Sequence, residues 1–184
     1  MSTIGLFGGS FNPPHVVHQA IALWVVEACE VDTLWMVPAW RHPLHKPMAP
    51  FAHRLAMCER AAAPLGARVT VSDIERELGG DSSRTLDTLL ALRDRHPDAS
   101  FRLVVGADIL AERPKWHRWD EIERLAPPIV VGRAGYADPA GSLAPEWPGI
   151  SSTEVRARVA RGDSAVPLVS RAVMDYIARE GLYR

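Results

Sequence analysis

This sequence has few cysteines, little charge imbalance and no long apolar run. Its only cysteines are Cys29 and Cys58, which argues against a disulfide framework and for a reducing compartment. No apolar run approaches the roughly 20 residues of a membrane span, and we expect no secretory signal. The formal net charge is −1, so no overall basic field favours nucleic acid or membrane. We therefore expect a cytoplasmic protein that recognises any phosphate through local groups.

The remaining composition is that of an ordinary globular domain. With 184 residues, 47% of them hydrophobic, the chain can bury a sizeable core, and we expect one domain over residues 1–184. The apolar patterns predict strands at residues 4–7, 33–37, 68–74, 101–105 and 128–132. They predict helices at residues 17–28, 51–63, 86–96 and 119–125. A last helix is expected to bury Val169, Ala172, Val173, Tyr176 and Ile177. A strand, a helix and a strand in succession predict a right-handed crossover between parallel strands.

Residues 8–18 carry the clearest chemical signal. They read Gly-Gly-Ser-Phe-Asn-Pro-Pro-His-Val-Val-His and lie between the first predicted strand and the first predicted helix. Adjacent glycines let the backbone approach a ligand closely, and free N–H groups at a helix start attract an anion, as in phosphate-binding α/β proteins. His15 and His18 are three residues apart, so both rings can point at one phosphate and stabilise the charge of nucleotidyl transfer.

Two other interpretations of the histidine pair stay open. A zinc site needs three or four ligands, and no cysteine or carboxylate lies nearby in sequence to complete one. The rings could instead only cap or pack the start of the helix. The stretch matches neither the P-loop nor the G-x-G-x-x-G pattern of dinucleotide-binding proteins.

Further polar candidates follow the other predicted strands, at the edge where open α/β sheets bind ligands. The loop at residues 38–47 contains His45 and Lys46, which are candidate phosphate contacts unless the loop is simply solvated. Asp108 follows the fourth strand, where it could bind ribose hydroxyls, reach magnesium through water, or only cap a helix. Arg133 follows the fifth strand.

Two segments add candidates for anion and ring recognition. Residues 151–156, Ser-Ser-Thr-Glu-Val-Arg, predict a capped helix start that could hold a second phosphate cluster beside Arg156, although an ordinary capped helix has the same pattern. The turn at residues 79–85 precedes another helix; its Arg84 either reinforces anion binding or faces solvent. Trp116 offers a flat face on which an aromatic ring could stack, whereas Trp119 is expected to pack in the core.

Together these motifs resemble one family. Residues 8–18 are similar to the G-G-[ST]-F-[DN]-P-x-H-x-x-H motif of the nucleotidyltransferase superfamily named for its H-x-G-H sequences, and most similar to bacterial nicotinate-nucleotide adenylyltransferases. A Pro-x-x-His-Lys loop, a G-x-D-x-[LF] motif, a tryptophan and I-S-S-T-x-x-R follow in the family's order. Val17 replaces the family's usual glycine, and Arg84 replaces its usual tyrosine.

The resemblance implies a single Rossmann-like α/β domain with a mostly parallel five- or six-stranded sheet and helices on both faces. It implies transfer of AMP from ATP to nicotinate mononucleotide, with Mg²⁺ bound by ATP oxygens and water and no metal held by the protein. It implies catalytic roles for His15 and His18. The implied ATP and phosphate contacts are Gly8, Gly9, Ser10, Phe11, Lys46, Asp108, Ser151, Ser152, Thr153 and Arg156. The implied contacts to nicotinate mononucleotide are His45, Thr85, Trp116 and Arg133.

Two other functions stay open on sequence alone. A transferase acting on phosphopantetheine, or a cytidylyltransferase, would share residues 8–18 but is not expected to share Thr85, Trp116 and the Arg133 region in this order. A regulatory nucleotide-binding module would bind ATP without releasing pyrophosphate, although no catalytic group is missing to favour it. The preference for nicotinate over nicotinamide mononucleotide and the formation of a homo-oligomer are equally open.

Overall fold

A five-stranded parallel sheet forms the centre of the molecule. The structure is a computed structural model that describes residues 1–41, 46–81, 83–107, 112–132, 145 and 147–184. Its strands are β1 (Ser2–Gly9), β2 (Thr33–Pro38), β3 (Val69–Val71), β4 (Ala99–Gly106) and β5 (Pro128–Val131). Their spatial order is β3-β2-β1-β4-β5, and every neighbouring pair is parallel. This confirms the predicted α/β class and parallel sheet, with five strands.

Helices cover both faces of the sheet, as predicted. They are α1 (Val16–Ala28), α2 (Phe51–Ala62), α3 (Ile74–Leu78), α4 (Thr85–Arg95), α5 (Trp119–Leu125), α6 (Ser152–Ala160) and α7 (Arg171–Glu180). Successive strand side chains point to opposite faces. Phe7 therefore packs in a core cluster with α1 and α2, whereas Leu6 packs in a second cluster with α4 and α5.

A third apolar cluster attaches α6 and α7 to the sheet layer through α2. Met57 of α2 packs there with Val155 of α6 and with Val173 and Ile177 of α7. Val169 and Tyr176 are also buried, as predicted, but Ala172 is exposed, so its predicted burial is wrong. It precedes Val173 by one residue, and a helix turns by about 100° per residue, which carries Ala172 off the buried stripe.

Several predicted element boundaries are wrong, among them those of β3, α2 and α4. The third strand ends at Val71 rather than residue 74, because Ile74 begins the short helix α3 and buries its side chain there. The predicted helix over residues 51–63 ends at Ala62 and is followed by a 3₁₀ turn, Ala63–Leu65, with proline in its first turn. Helix α4 begins at Thr85, one residue early, and ends at Arg95. No helix among the described residues is long and apolar enough to cross a membrane.

Candidate nucleotide-binding site

The loops that carry the predicted site residues meet at the carboxyl edge of the sheet. Gly9, the last residue of β1, pairs with Pro38, the last residue of β2. The N–H of Ala39 donates to the Gly9 carbonyl at 2.9 Å, so the loops after the two strands leave the sheet side by side. This is the edge at which open α/β sheets bind ligands.

The loop after β1 is shaped by Phe11. Its φ of +43° lies in the left-handed region, which bulky residues rarely adopt, and its ring is buried edge-on to Phe7 with centroids 5.5 Å apart. A Cβ at Gly9 would lie 3.2 Å from this ring, whereas a Cβ at Gly8 would meet nothing within 4 Å. Gly9 therefore makes room for Phe11, and Gly8 presents bare backbone to open space.

His15 and His18 form a stacked pair at the start of α1. Their ring centroids are 3.7 Å apart with planes inclined by 26°, and His15 is buried. The backbone N–H of His15 donates to Nδ1 of His18 at 3.0 Å. Because Nδ1 accepts this bond, the proton of a neutral His18 is assigned to Nε2, which can then donate to a ligand oxygen.

The electrostatics keep His18 neutral. Burial, and then the charge of His15, hold the pKa of His18 well below its usual value. The Phe11 ring also lies edge-on to the His18 ring at 5.0 Å, so an aromatic ring flanks the half-buried imidazole. A neutral donor that does not need to shed a proton suits contact with phosphate oxygens at neutral pH.

The expectation of free N–H groups at the start of α1 is wrong for three of them. The N–H of Val16 donates to the carbonyl of Leu168 at 2.9 Å, that of His18 donates to the His15 carbonyl at 2.9 Å, and that of His15, the residue before the helix, donates to Nδ1 of His18. The neighbouring Val17 side chain is buried in the protein. The histidine rings and the loop backbone, rather than the whole helix start, are thus the groups available to an anion here.

Helix α6 is joined to the first loop. The Ser152 hydroxyl donates to the Pro13 carbonyl at 2.8 Å, and Nη1 of Arg156 donates to the Asn12 carbonyl at 2.8 Å. Ser151 caps the helix by accepting from the Glu154 N–H at 3.2 Å. The structure therefore brings the predicted residues Ser151, Ser152 and Arg156 together with residues 8–18, from positions about 140 residues apart in sequence.

Thr153 and Asn12 complete this junction. The Thr153 hydroxyl accepts from Nη2 of Arg156 at 3.2 Å, which fixes the outer side of the guanidinium. The Asn12 side-chain oxygen accepts from the Tyr183 hydroxyl at 2.8 Å and from the Ala49 N–H at 3.1 Å. The end of the described chain and the loop after β2 are thus both attached to the first loop.

The residues expected to bind the mononucleotide lie on the other side of β1. Thr85 is the first residue of α4, and Trp116 is half-buried with its ring edge-on to Trp119 at 5.4 Å. Arg84 is exposed, and Trp119 is buried as predicted. The loop after β2 reaches this region because the N–H of Arg41 donates to the Ser83 hydroxyl at 3.2 Å.

Lys46 is exposed and lies near the segment after β4. Lys115 first, and Lys46 more weakly, lower the pKa of the Glu112 carboxyl. This places the Lys46 charge at the same edge of the sheet as the first loop. His45, Asp108 and Arg133 lie outside the described residues.

Sequence reasoning missed three residues that hold these loops together: Arg54, Glu75 and Tyr183. Arg54 is 1% exposed and donates to carbonyls of both loops. The sequence pattern does mark Arg54 as buried, because it occupies a core-facing position between Phe51 and Met57 on α2. Glu75 accepts from the Trp40 N–H at 2.9 Å, and burial raises the pKa of its carboxyl. No local pattern marks Glu75 or Tyr183.

The described residues contain no group of three His, Cys, Asp or Glu side chains that could hold a metal ion. Within that part of the chain, a magnesium ion would thus depend on phosphate oxygens and water for most of its ligands.

Comparisons with known proteins assign the chain to a family. The Cytidylyltransferase-like family model matches residues 6–158. The chain is 49% identical over 183 residues to the probable nicotinate-nucleotide adenylyltransferase of Anaeromyxobacter sp. strain K, covering 98% of this chain and 96% of that one. It is 42% identical to the protein of the same name from Myxococcus xanthus strain DK1622, covering 98% and 94%.

A solved structure shows the same fold at lower identity. Nicotinic acid mononucleotide adenylyltransferase of Plasmodium falciparum, complexed with NaAD, superposes with a TM-score of 0.84 at 19% identity, covering all of this chain and 98% of that one. The sequence relatives, the family model and the fold agree with the resemblance in residues 8–18 and 150–156. The chain belongs to the nicotinate-nucleotide adenylyltransferase family of nucleotidyltransferases.

Proposed function

We propose that this protein transfers AMP from ATP to nicotinate mononucleotide, giving deamido-NAD and pyrophosphate, as a step of NAD biosynthesis. Relatives named probable nicotinate-nucleotide adenylyltransferase match nearly the full chain at up to 50% identity. The observation that carries the proposal is the stacked His15–His18 pair, held beside the start of α6 at the carboxyl edge of the sheet. On this proposal, residues 1–184 form one nucleotidyltransferase domain.

The chemistry is a direct in-line displacement. A phosphate oxygen of nicotinate mononucleotide forms a bond to the α-phosphorus of ATP, the bond to the bridging oxygen breaks, and pyrophosphate leaves with that electron pair. No covalent enzyme intermediate is needed, so positioning and charge stabilisation supply most of the rate enhancement. The neutral His18 donates from Nε2 to an oxygen at the reacting phosphorus, with His15 beside it.

The remaining candidates divide between the two substrates. The backbone of Gly8, Gly9, Ser10 and Phe11 and the Ser10 side chain approach ATP, and Gly8 leaves open space for that approach. Lys46, Arg156 and the α6 start bind the outer phosphates, with the ribose near Asp108. Thr85, Trp116, His45 and Arg133 face nicotinate mononucleotide, with the Trp116 ring as a stacking surface for the pyridine.

Magnesium enters with ATP as part of the substrate. It neutralises phosphate charge, and no step of the mechanism is assigned to a protein-held ion. We propose that the protein acts in the cytoplasm, without nucleic acid or membrane partners. Formation of a homo-oligomer is not part of this proposal.

The test is release of pyrophosphate from magnesium and ATP with one acceptor at a time. We expect rapid release and a product with the mass of deamido-NAD when nicotinate mononucleotide is the acceptor. Equal rates with nicotinamide mononucleotide would show that the site does not distinguish the nicotinate carboxylate from the corresponding amide. Release only with phosphopantetheine, or binding of ATP with no release, would instead identify a sibling transferase or a regulatory module.

A further inference from the structure

The buried guanidinium of Arg54 connects the two loops that form the nucleotide side of the site. We infer that Arg54 is a positioning residue for adenylyl transfer, which fixes the loop after β1 against both ends of the loop after β2. The inference rests on the proposed function, and it assigns to Arg54 no contact with either substrate.

Three donors of one side chain go to three carbonyls. Nη1 donates to Ser10 at 2.9 Å, Nε donates to Ala49 at 3.0 Å, and Nη2 reaches Trp40 at 3.4 Å. Ser10 belongs to the first loop, whereas Trp40 and Ala49 are the two ends of the second. The planar guanidinium of Arg54 therefore fixes the position of the two loops relative to each other.

The second loop carries Lys46 between these two ends. Ala49 is held from both sides, since its carbonyl accepts from Arg54 and its N–H donates to Asn12. The Ser10 carbonyl, held by the same guanidinium, fixes the orientation of the peptide that presents the Phe11 N–H. Displacement of either loop by about 1 Å would lower the rate of transfer without removing a catalytic group, by an amount on the order of 100-fold.

Stability alone does not account for this residue. Among the described residues no Asp or Glu forms an ion pair with Arg54, and burial lowers the pKa of its guanidinium, opposed by neighbours that include Glu75. Burying a charge is costly, because the desolvation penalty opposes what its hydrogen bonds contribute to stability. A cation whose three hydrogen bonds all go to backbone carbonyls of the site loops is therefore explained better by loop geometry than by folding.

The planar arrangement of donors in the guanidinium, rather than its positive charge, matches the three carbonyls. Lysine keeps the positive charge but ends in a single ammonium that cannot match three carbonyls spread around a plane. Arg54→Lys and Arg54→Met therefore separate charge from shape. Arg60→Lys and Arg60→Met are the matched controls, because Arg60 is on the same helix but donates to the Ala56 carbonyl of that helix and lies over the Tyr176 ring.

We would measure kcat and KM for ATP and nicotinate mononucleotide, with the melting temperature of each variant. We expect Arg54→Lys to lower kcat by 10- to 100-fold while KM for ATP changes less than threefold, and Arg54→Met to lower kcat at least as much. Both Arg60 variants should stay within threefold of the wild type. Partial unfolding would also lower apparent kcat without changing KM, so the rates are measured well below the melting temperature of each variant and kcat is expressed per folded enzyme.

Two results would overturn the positioning role. The first is a folded Arg54→Lys protein with wild-type kcat, since the charge would then suffice. The second is failure of both Arg54 variants to fold, which would make Arg54 a residue of the core only. A wild-type protein that releases no pyrophosphate with nicotinate mononucleotide contradicts the proposed function instead, so the two failures are distinguishable.

Discussion

Basic side chains lie at both ends of the sheet, but they are held differently. At the carboxyl edge, Arg54 and Arg156 donate to backbone carbonyls of the site loops. At the amino edge, a groove of about 550 Å³ is lined by Arg93, His96 and Arg124, all exposed to solvent, and by the half-buried Arg102. Arg102 also donates to backbone carbonyls, those of Pro127 and Pro128, whereas the other three basic side chains of this groove face solvent. What distinguishes the carboxyl edge is that Arg54 and Arg156 join separate segments of the chain there before a ligand arrives, which lowers the entropic cost of binding.

The largest effect should come from His18→Ala. On the proposed mechanism this variant loses the Nε2 donor at the reacting phosphorus, which should lower kcat by about 100- to 1,000-fold, as for other preorganised donors to a developing charge. His96→Ala is the control at the amino edge, where the ring only meets Trp35. Steady-state kinetics would check both, and normal turnover in the His18 variant would refute its role.

The adjacent glycines should respond in opposite ways. Gly8→Ala places a methyl group in open space, so it should leave the urea midpoint unchanged but weaken binding of a non-hydrolysable ATP analogue by about tenfold. Gly9→Ala places a methyl group 3.2 Å from the Phe11 ring, so it should lower stability by about 1–3 kcal/mol. Calorimetric titration and urea unfolding separate the two effects. The same response from both variants would contradict the assigned geometry.

A smaller effect is expected on stability when the pH is lowered. Because burial holds the pKa of His18 below its usual value, the unfolded chain takes up a proton before the folded chain does as pH falls. Stability should decline from pH 6.5 down to the lowered pKa, by at most about 1.4 kcal/mol per pH unit, and be insensitive to His18 above that window. In His18→Asn the amide oxygen replaces the Nδ1 acceptor without titrating. Urea unfolding at pH 7 and pH 5 should show a smaller loss in this variant than in the wild type.

The smallest effect should come from the amino edge. The double variant Arg93→Gln with Arg124→Gln removes two exposed charges from the groove. We expect kcat/KM for both substrates to stay within twofold and stability to change by less than about 0.5 kcal/mol. A tenfold change in kcat/KM would show that solvated charge, too, contributes to the reaction.

Sequence predicted the sheet and the first loop because their signals are local. Apolar runs mark β1, β2, β4 and β5, and residues 8–18 contain both histidines whose rings the structure stacks. The order of the strands and the short helix α3 could not be predicted in this way, because they depend on packing between distant segments.

The side chains that join the loops could not be predicted from the sequence for the same reason. Tyr183 bonds to Asn12 across 171 positions, and Arg54 bonds to Ser10 across 44. Neither pair has a motif, since the acceptors are an amide oxygen and a backbone carbonyl that many sequences could supply. The Val16 N–H was expected to be free for an anion, and it bonds instead to Leu168, which no helix-start pattern reveals.

Amide hydrogen–deuterium exchange tests the distinction between the two edges most directly. Exchange would be followed in the wild-type protein, with and without a non-hydrolysable ATP analogue and nicotinate mononucleotide together. We predict slower exchange in residues 8–18 and 151–156, with residues 93–102 unchanged. Slower exchange confined to residues 93–102, with no change in residues 8–18, would contradict the placement of the site at the carboxyl edge.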